Sequence, residues 1–192
     1  NGFLTAVFAA YEGKRYVTDI MKEDQYQKDI FSRTIRIETD LNNAKRVWYL
    51  LRDKHYEFLK NIYFAFLSET QGIEICIYQE IVRKLGRLRI GNQENSHSRA
   101  NLLQDIANKV ALEKRKWESA IHFNFTSDRP AIVRIKPLHN ILPLISRFFR
   151  LTYQSHPWII FDQVRNYGIY FDGIRTRLIT EIPKQFNWAD AA

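Results

Sequence analysis

Four side chains in the second half of the chain are the types that acid–base or recognition chemistry requires: His122, His139, Asp162 and Arg165. A histidine changes its protonation state near neutral pH and can therefore move protons. An aspartate three residues before an arginine offers an acceptor and a forked donor, which can orient a substrate group or hydrogen-bond the edge of a base. If these four side chains converge in a cleft, we expect an enzyme acting on a nucleobase or nucleotide.

Three of these residues also have purely structural interpretations. Asp162 and Arg165 flank a predicted turn beside Asn166, where a salt bridge can lock the turn. His139 lies two residues after Pro137 and precedes a predicted helix, where its side chain can fix how the chain enters that helix. The sequence leaves both interpretations open.

Positive charge is the second chemical feature. The chain has 29 Lys plus Arg against 21 Asp plus Glu, a net charge of +8. Residues 83–116 hold nine basic and three acidic side chains, so they carry +6 of that total. Clustered charge of one sign is typical of a surface that binds a polyanion. The alternative is that these residues form solvated helix faces.

The predicted nucleic-acid contacts lie at the end of a long helix and on one face of a predicted hairpin. Lys and Arg are the natural donors to phosphate oxygens, and the alternative for the hairpin is a solvated sheet face. The expected contacts are Lys114, Arg115, Lys116, His122, Arg134 and Lys136.

Several familiar sites are absent from the sequence. It has no glycine-rich phosphate loop, no dinucleotide fingerprint and no His-Glu-x-x-His helix. Cys76 is the sole cysteine, which excludes an intrachain disulfide and a cysteine-rich metal site. We therefore expect no metal and no cofactor. No apolar run reaches the ~18 residues that span a bilayer, and no signal peptide is evident, so we expect a cytoplasmic protein away from membranes.

The elements that position these residues divide into a helical part and a sheet part. Helical spacing of apolar residues predicts helices over residues 3–11, 40–51, 58–68, 73–89 and 99–119, with Asp40 as an N-cap and Gly72 as a helix stop. A short alternating run at residues 33–39 predicts a strand.

From residue 120 the apolar period becomes two. Residues 121–125 and 131–136 predict a hairpin, and residues 141–153 a helix with Asn140 as its N-cap. Residues 158–162 predict a central strand, and residues 167–172 and 175–182 an antiparallel pair. We therefore predict one α+β domain over residues 1–192 in which a helical part (1–119) packs on a mainly antiparallel sheet with one crossover helix (120–182), followed by a tail (183–192).

Five segments, in this order and spacing, resemble one bacterial family: GFLTAVF at 2–8, AFLSE at 65–69, VALEKRKWESAIHF at 110–123, PLHNILP at 137–143 and WIIFDQVR at 158–165. It is a family of unknown function labelled "probable DNA metabolism protein". The resemblance implies a gene beside that of a putative DNA-repair radical-SAM protein, and in some members a fused uracil-DNA-glycosylase-like domain.

The chain departs from the family pattern at two positions. The family has a Glu-x-His pair near the end of the long helix, where this chain has Glu113 followed by Lys114 and Arg115. The family also has an arginine where this chain has His122. A role that requires only positive charge survives the first replacement and partly survives the second.

The leading hypothesis is a DNA-metabolism or DNA-repair accessory domain that binds nucleic acid through its basic surface. One alternative is the enzyme described above. A second alternative is a protein-interaction module that holds a radical-SAM or glycosylase-like partner. That module predicts an exposed apolar patch and no salt-dependent affinity for DNA.

Overall fold

The structure is a computed structural model that describes residues 1–23, 26, 33–86, 93–126 and 129–183, without the side chains of residues 93–97. Its contacts divide the chain into two compact units, residues 1–108 and 109–192. Helices make up the regular structure described in the first unit, and every described strand lies in the second. The predicted α+β class is confirmed.

The first unit consists of amphipathic helices around one apolar core. Leu51, Ala65, Ile81 and Val82 are completely buried at its centre. The helices are α1 (Gly2–Glu12), α2 (Leu41–Lys54), α3 (Tyr56–Phe66), α4 (Ile73–Lys84) and the first part of α5 (Gln93–Ala120).

Asp40 caps α2 as predicted. Its carboxylate accepts hydrogen bonds from the backbone N–H groups of Asn42 and Asn43, at 2.7 and 3.2 Å. These groups have no partner inside the helix, so the cap satisfies donors that the helix leaves free. The hydroxyl of Thr5 donates to the Asp40 carbonyl at 3.0 Å and thereby ties α1 to the start of α2.

Three predictions for the first unit are wrong. Residues 33–39 form no strand, because an alternating run needs a neighbouring strand and every described strand belongs to the other unit. Gly72 does not end α3; at φ +74° it precedes the first turn of α4. Helix α4 ends at Lys84 rather than residue 89, since Gly86 adopts φ +71°, a left-handed conformation that favours glycine.

Among its described residues, the second unit has the end of α5 and a four-stranded mixed sheet crossed by one helix. After the end of α5 come β1 (Ala131–Ile135), α6 (Leu142–Thr152), β2 (Trp158–Asp162), β3 (Tyr167–Phe171) and β4 (Thr176–Ile179), in spatial order β1-β2-β3-β4. Strand β1 pairs with β2 in parallel, and the other two pairs are antiparallel. Helix α6 is the predicted crossover helix, and β2 is internal to the sheet as predicted.

The predicted hairpin at residues 121–136 is wrong. Residues 121–125 are not a strand, and only an isolated bridge joins Thr126 to Arg129. The alternating apolar residues serve a different purpose, because Phe123 packs its ring on Trp158 at 5.6 Å and on Tyr153 at 5.0 Å. The ladder of β1 is instead formed with β2, which the intervening helix makes possible.

The predicted N-cap of α6 is also displaced. Ile141 rather than Asn140 occupies the cap position. Asn140 instead uses its side-chain oxygen to accept a hydrogen bond from the Tyr167 hydroxyl. Pro143 lies in the first turn of α6, where its missing N–H has no cost.

Candidate functional site

The segment 137–140, between β1 and α6, is held by polar side chains from α5, from the turn after β2 and from β3. On one side Glu113 of α5 accepts hydrogen bonds from the backbone N–H groups of Leu138, at 2.6 Å, and His139, at 2.9 Å. The same carboxylate lies 2.5 Å from Nδ1 of His139 and accepts from the Trp117 indole at 3.3 Å. One carboxylate thus binds four donors.

These donors determine the ionisation of Glu113. Its burial raises the pKa, since a charged carboxylate loses hydration. The hydrogen bonds from the backbone of Leu138 and His139, and from the His139 and Trp117 side chains, outweigh that effect. The pKa of Glu113 is therefore lowered from its ordinary value. The segment 137–140 therefore binds Glu113 in its charged form.

On the other side the buried pair of Asp162 and Arg165 holds the same segment. Asp162 is completely buried and accepts from the backbone N–H of Val164 at 2.8 Å and of Arg165 at 3.2 Å. Its other oxygen is 3.1 Å from the Arg165 guanidinium. That guanidinium donates to the carbonyls of Pro137, at 3.3 Å, and Leu138, at 2.9 Å. The pair therefore has the geometry of a salt bridge that locks the turn. In addition, Arg165 binds the segment 137–140.

The structure brings three of the four candidate catalytic residues to this segment. His139 belongs to it, and Asp162 and Arg165 bind around it. His122 is exposed, and its ring nitrogen Nδ1 lies 3.1 Å from the carbonyl of Ala120 on its own chain segment. The side chains of Glu113 and His139 are 14% and 13% exposed. A carboxylate in this position can fix the orientation of the histidine ring, which a histidine that transfers a proton requires.

Glu113 is the member of this cluster that the sequence did not identify as a site residue. Its partners Leu138 and His139 lie 25 and 26 positions away, so local spacing gives no signal of these contacts. The usable signal was its place in the segment 110–123, which resembles the family. In the described part of the chain, no three His, Cys, Asp or Glu side chains are grouped to hold a metal ion.

The predicted nucleic-acid contacts occupy different environments. Arg115, Lys116, His122, Arg134 and Lys136 are exposed. Lys114 is largely covered, and its ammonium group lies 2.6 and 2.7 Å from the two carboxylate oxygens of Glu118. Within the described chain, Arg115, Lys116 and Lys136 make no ion pair, so their charges are available to a ligand.

Part of the basic segment at 83–116 is neutralised inside the first unit. Glu80 is 1% exposed, and its carboxylate lies 2.7 Å from Arg83 and 3.7 Å from Arg99. A buried carboxylate requires such partners. The positions of Arg87 and Arg89 lie outside the described residues. The net charge of this segment therefore overstates its basic surface.

The second unit keeps its positive charge at the surface. The described residues of 109–183 include twelve basic and five acidic side chains. Four of the five acidic groups are paired, as Glu113 with His139, Glu118 with Lys114, Asp162 with Arg165, and Asp172 with Arg177. An open pocket of about 210 Å³ adjoins Arg129 and Arg134, at the start of β1.

Comparisons with known proteins place the chain by family. The model of a family described as a domain of unknown function, DUF4130, matches residues 71–190. That match covers more than half of the chain, so the protein belongs to this family. It includes every candidate residue of the second unit, whereas the segments at 2–8 and 65–69 lie outside it. No curated protein and no solved structure matches the chain.

Proposed function

We propose that this member of the DUF4130 family binds DNA through the second unit and acts as an accessory protein in DNA metabolism or repair. The proposal rests on one observation above all. Four of the five acidic groups described in this unit are engaged in pairs, while Arg115, Lys116 and Lys136 are exposed and make no ion pair with a described residue. Such a surface attracts a polyanion, since each basic contact releases condensed counterions from DNA.

The contacts that we assign to DNA are Arg115, Lys116, His122, Arg134 and Lys136. Lys114 is a weaker contributor, because Glu118 already neutralises its ammonium group. Helix α5 presents Arg115 and Lys116 as adjacent exposed residues, whereas Glu113 and Trp117 are partly buried. Phosphate contacts of this kind position a protein on DNA without reading its sequence.

The proposal also assigns a cellular setting. The family resemblance favours action beside a DNA-repair radical-SAM protein or a glycosylase-like protein, with catalysis supplied by that partner. DNA binding favours a cytoplasmic location. In the described part of the chain, no helix combines the length and apolar character that a membrane span needs.

The test is fluorescence-anisotropy titration of labelled DNA with the wild-type protein and with Arg115→Glu/Lys116→Glu. We expect the variant to bind roughly tenfold or more weakly at low salt, since it loses two phosphate contacts and gains repulsion. The control is Lys45→Glu/Lys60→Glu, which makes the same charge change at exposed positions of the first unit. Equal loss in both variants would reduce the effect to net charge and refute the assigned surface.

A second candidate function is supported by one apolar feature. Leu138 is 77% exposed although its backbone is held on both sides, by Glu113 and by Arg165. Val164, in the turn after β2, is 56% exposed. A segment whose backbone is already fixed loses less conformational freedom when an interface forms, which favours binding. A partner-holding module predicts that Leu138→Ser abolishes capture of the partner and leaves DNA binding unchanged.

A further inference from the structure

Two aromatic and two basic side chains lie on one face of the sheet. The aromatic residues Trp158 and Phe171 point to the face that Phe149 of α6 covers. Because successive side chains of a strand point to opposite faces, the other face carries a second set of residues. This outer sheet face carries Ile132, Arg134, Ile159, Phe161, Gly168, Tyr170, Arg177 and Ile179.

The register places these residues in two neighbouring rows. Arg134 pairs with Phe161, which pairs with Gly168. In the next row Ile159 pairs with Tyr170, which pairs with Arg177. Ile159 is completely buried. Phe161 and Tyr170 are partly exposed, and both arginines are exposed. Each ring therefore has an arginine beside it.

Gly168 allows the ring of Phe161 to lie close against strand β3. A Cβ atom at residue 168 would be 2.8 Å from Cδ2 of Phe161, closer than such atoms approach in proteins. It would also be 2.8 Å from the carbonyl oxygen of Ile160. The absence of a side chain at 168 thus gives the ring a flat support on the sheet. One function of such packing is to protect the glycine backbone.

We infer that the outer sheet face is a stacking platform for the unpaired bases of single-stranded DNA, with Phe161 and Tyr170 as the stacking rings. The inference rests on the proposed DNA binding and specifies the strand type. Any of the bases can stack on an exposed aromatic side chain, and flanking arginines bind the phosphates. The Arg177 side chain is 66% exposed, so its pair with Asp172 is open to exchange for a phosphate.

The spacing of the rings favours single-stranded over duplex DNA. Phe161 and Tyr170 are diagonal neighbours on adjacent strands, a relation in which side-chain origins lie roughly 7–8 Å apart. Bases in a duplex rise by about 3.4 Å and stack on one another. Two rings at the wider spacing match consecutive bases of an extended strand. A duplex has no free base faces to offer them.

The experiment compares oligothymidylate with a duplex of equal length by anisotropy, using Phe161→Leu and Tyr170→Leu. We expect each substitution to weaken single-strand binding roughly tenfold, since each variant loses the stacking of one base on an aromatic ring. Duplex binding stays within about twofold, because it depends on phosphate contacts alone. The control is Phe148→Leu, which removes an exposed ring from α6.

The outcomes separate this inference from the proposed function. Wild-type binding that neither Leu substitution at the sheet weakens would overturn the platform and leave DNA binding intact. No binding of either DNA by the wild type at low salt would overturn both. A measurement on the wild type covers the case in which a variant fails to fold: photocrosslinking to oligothymidylate that contains 5-iodouracil, followed by peptide mass spectrometry. We expect crosslinks at Phe161 or Tyr170, and crosslinks found only elsewhere would refute the platform.

Discussion

At the scale of single residues, Glu113 shows how one buried carboxylate organises a site. It binds the backbone of Leu138 and His139 and the side chains of His139 and Trp117. The sequence identified His139 as a candidate but gave no reason to pair it with Glu113, because long-range hydrogen bonds leave no local pattern. Asp162 and Arg165 were identifiable, since a spacing of three residues across a turn makes their ion pair a local feature.

Replacing Glu113 with Gln should lower the free energy of unfolding by about 2–3 kcal/mol, because hydrogen bonds to a charged acceptor are lost. The measurement is urea denaturation at neutral pH. Glu118→Gln is the matched control on the same helix and should cost about 0.5 kcal/mol, as for other pairs with this spacing. Equal effects of the two substitutions would contradict a special role for Glu113.

The pH dependence of stability follows from the lowered pKa of Glu113. A carboxylate whose pKa is lower in the folded state stabilises the protein above its unfolded pKa, and this contribution is lost as pH falls through the folded pKa. The difference in unfolding free energy between wild type and Glu113→Gln should therefore be constant above about pH 6 and shrink toward acid pH. Repeating the urea series at several pH values measures it, and a gap that widens in acid would contradict the assignment.

At the scale of elements, strong local patterns predicted what the structure shows. The apolar run at 158–162 is β2, and the antiparallel pair β3–β4 turns at Asp172 and Gly173. Residues 121–125 have an equally clear alternation, yet their rings pack on α6 and β2 instead of forming a ladder. Alternation records which side chains are buried, and it does not record which strand supplies the hydrogen bonds.

The turn after β2 gives a prediction at this scale. Asp162→Asn should lower the free energy of unfolding by about 3 kcal/mol, because it leaves the largely buried Arg165 without its charge partner. Asp172→Asn is the control in the β3–β4 turn, where the aspartate accepts from two backbone N–H groups in the same way but is more exposed. Thermal denaturation of the two variants measures both effects, and that of Asp172→Asn should be the smaller.

DNA affinity of Asp162→Asn distinguishes the two interpretations of this pair. If the folded fraction of the variant binds DNA as the wild type does, the pair is structural. If the folded variant loses affinity without loss of stability, the pair belongs to the binding site.

At the scale of the whole molecule, composition gives the total charge, whereas the fold decides where that charge is exposed. The net charge of +8 suggested a polyanion, and residues 83–116 were expected to carry the surface. Burial of Glu80 against Arg83 and Arg99 uses part of that charge internally. Pairing of this kind depends on the tertiary fold, so the sequence could not show it. The exposed charge of the second unit therefore carries the proposal.

The most direct test of the central claim is the salt dependence of DNA binding by the wild-type protein. Log affinity should fall linearly with log salt concentration, with a slope of about −3 to −5 for the assigned contacts. Arg115→Glu/Lys116→Glu should reduce the magnitude of the slope by about 2. An affinity independent of salt, or no binding at 50 mM salt, a concentration at which phosphate contacts are strong, would contradict the account.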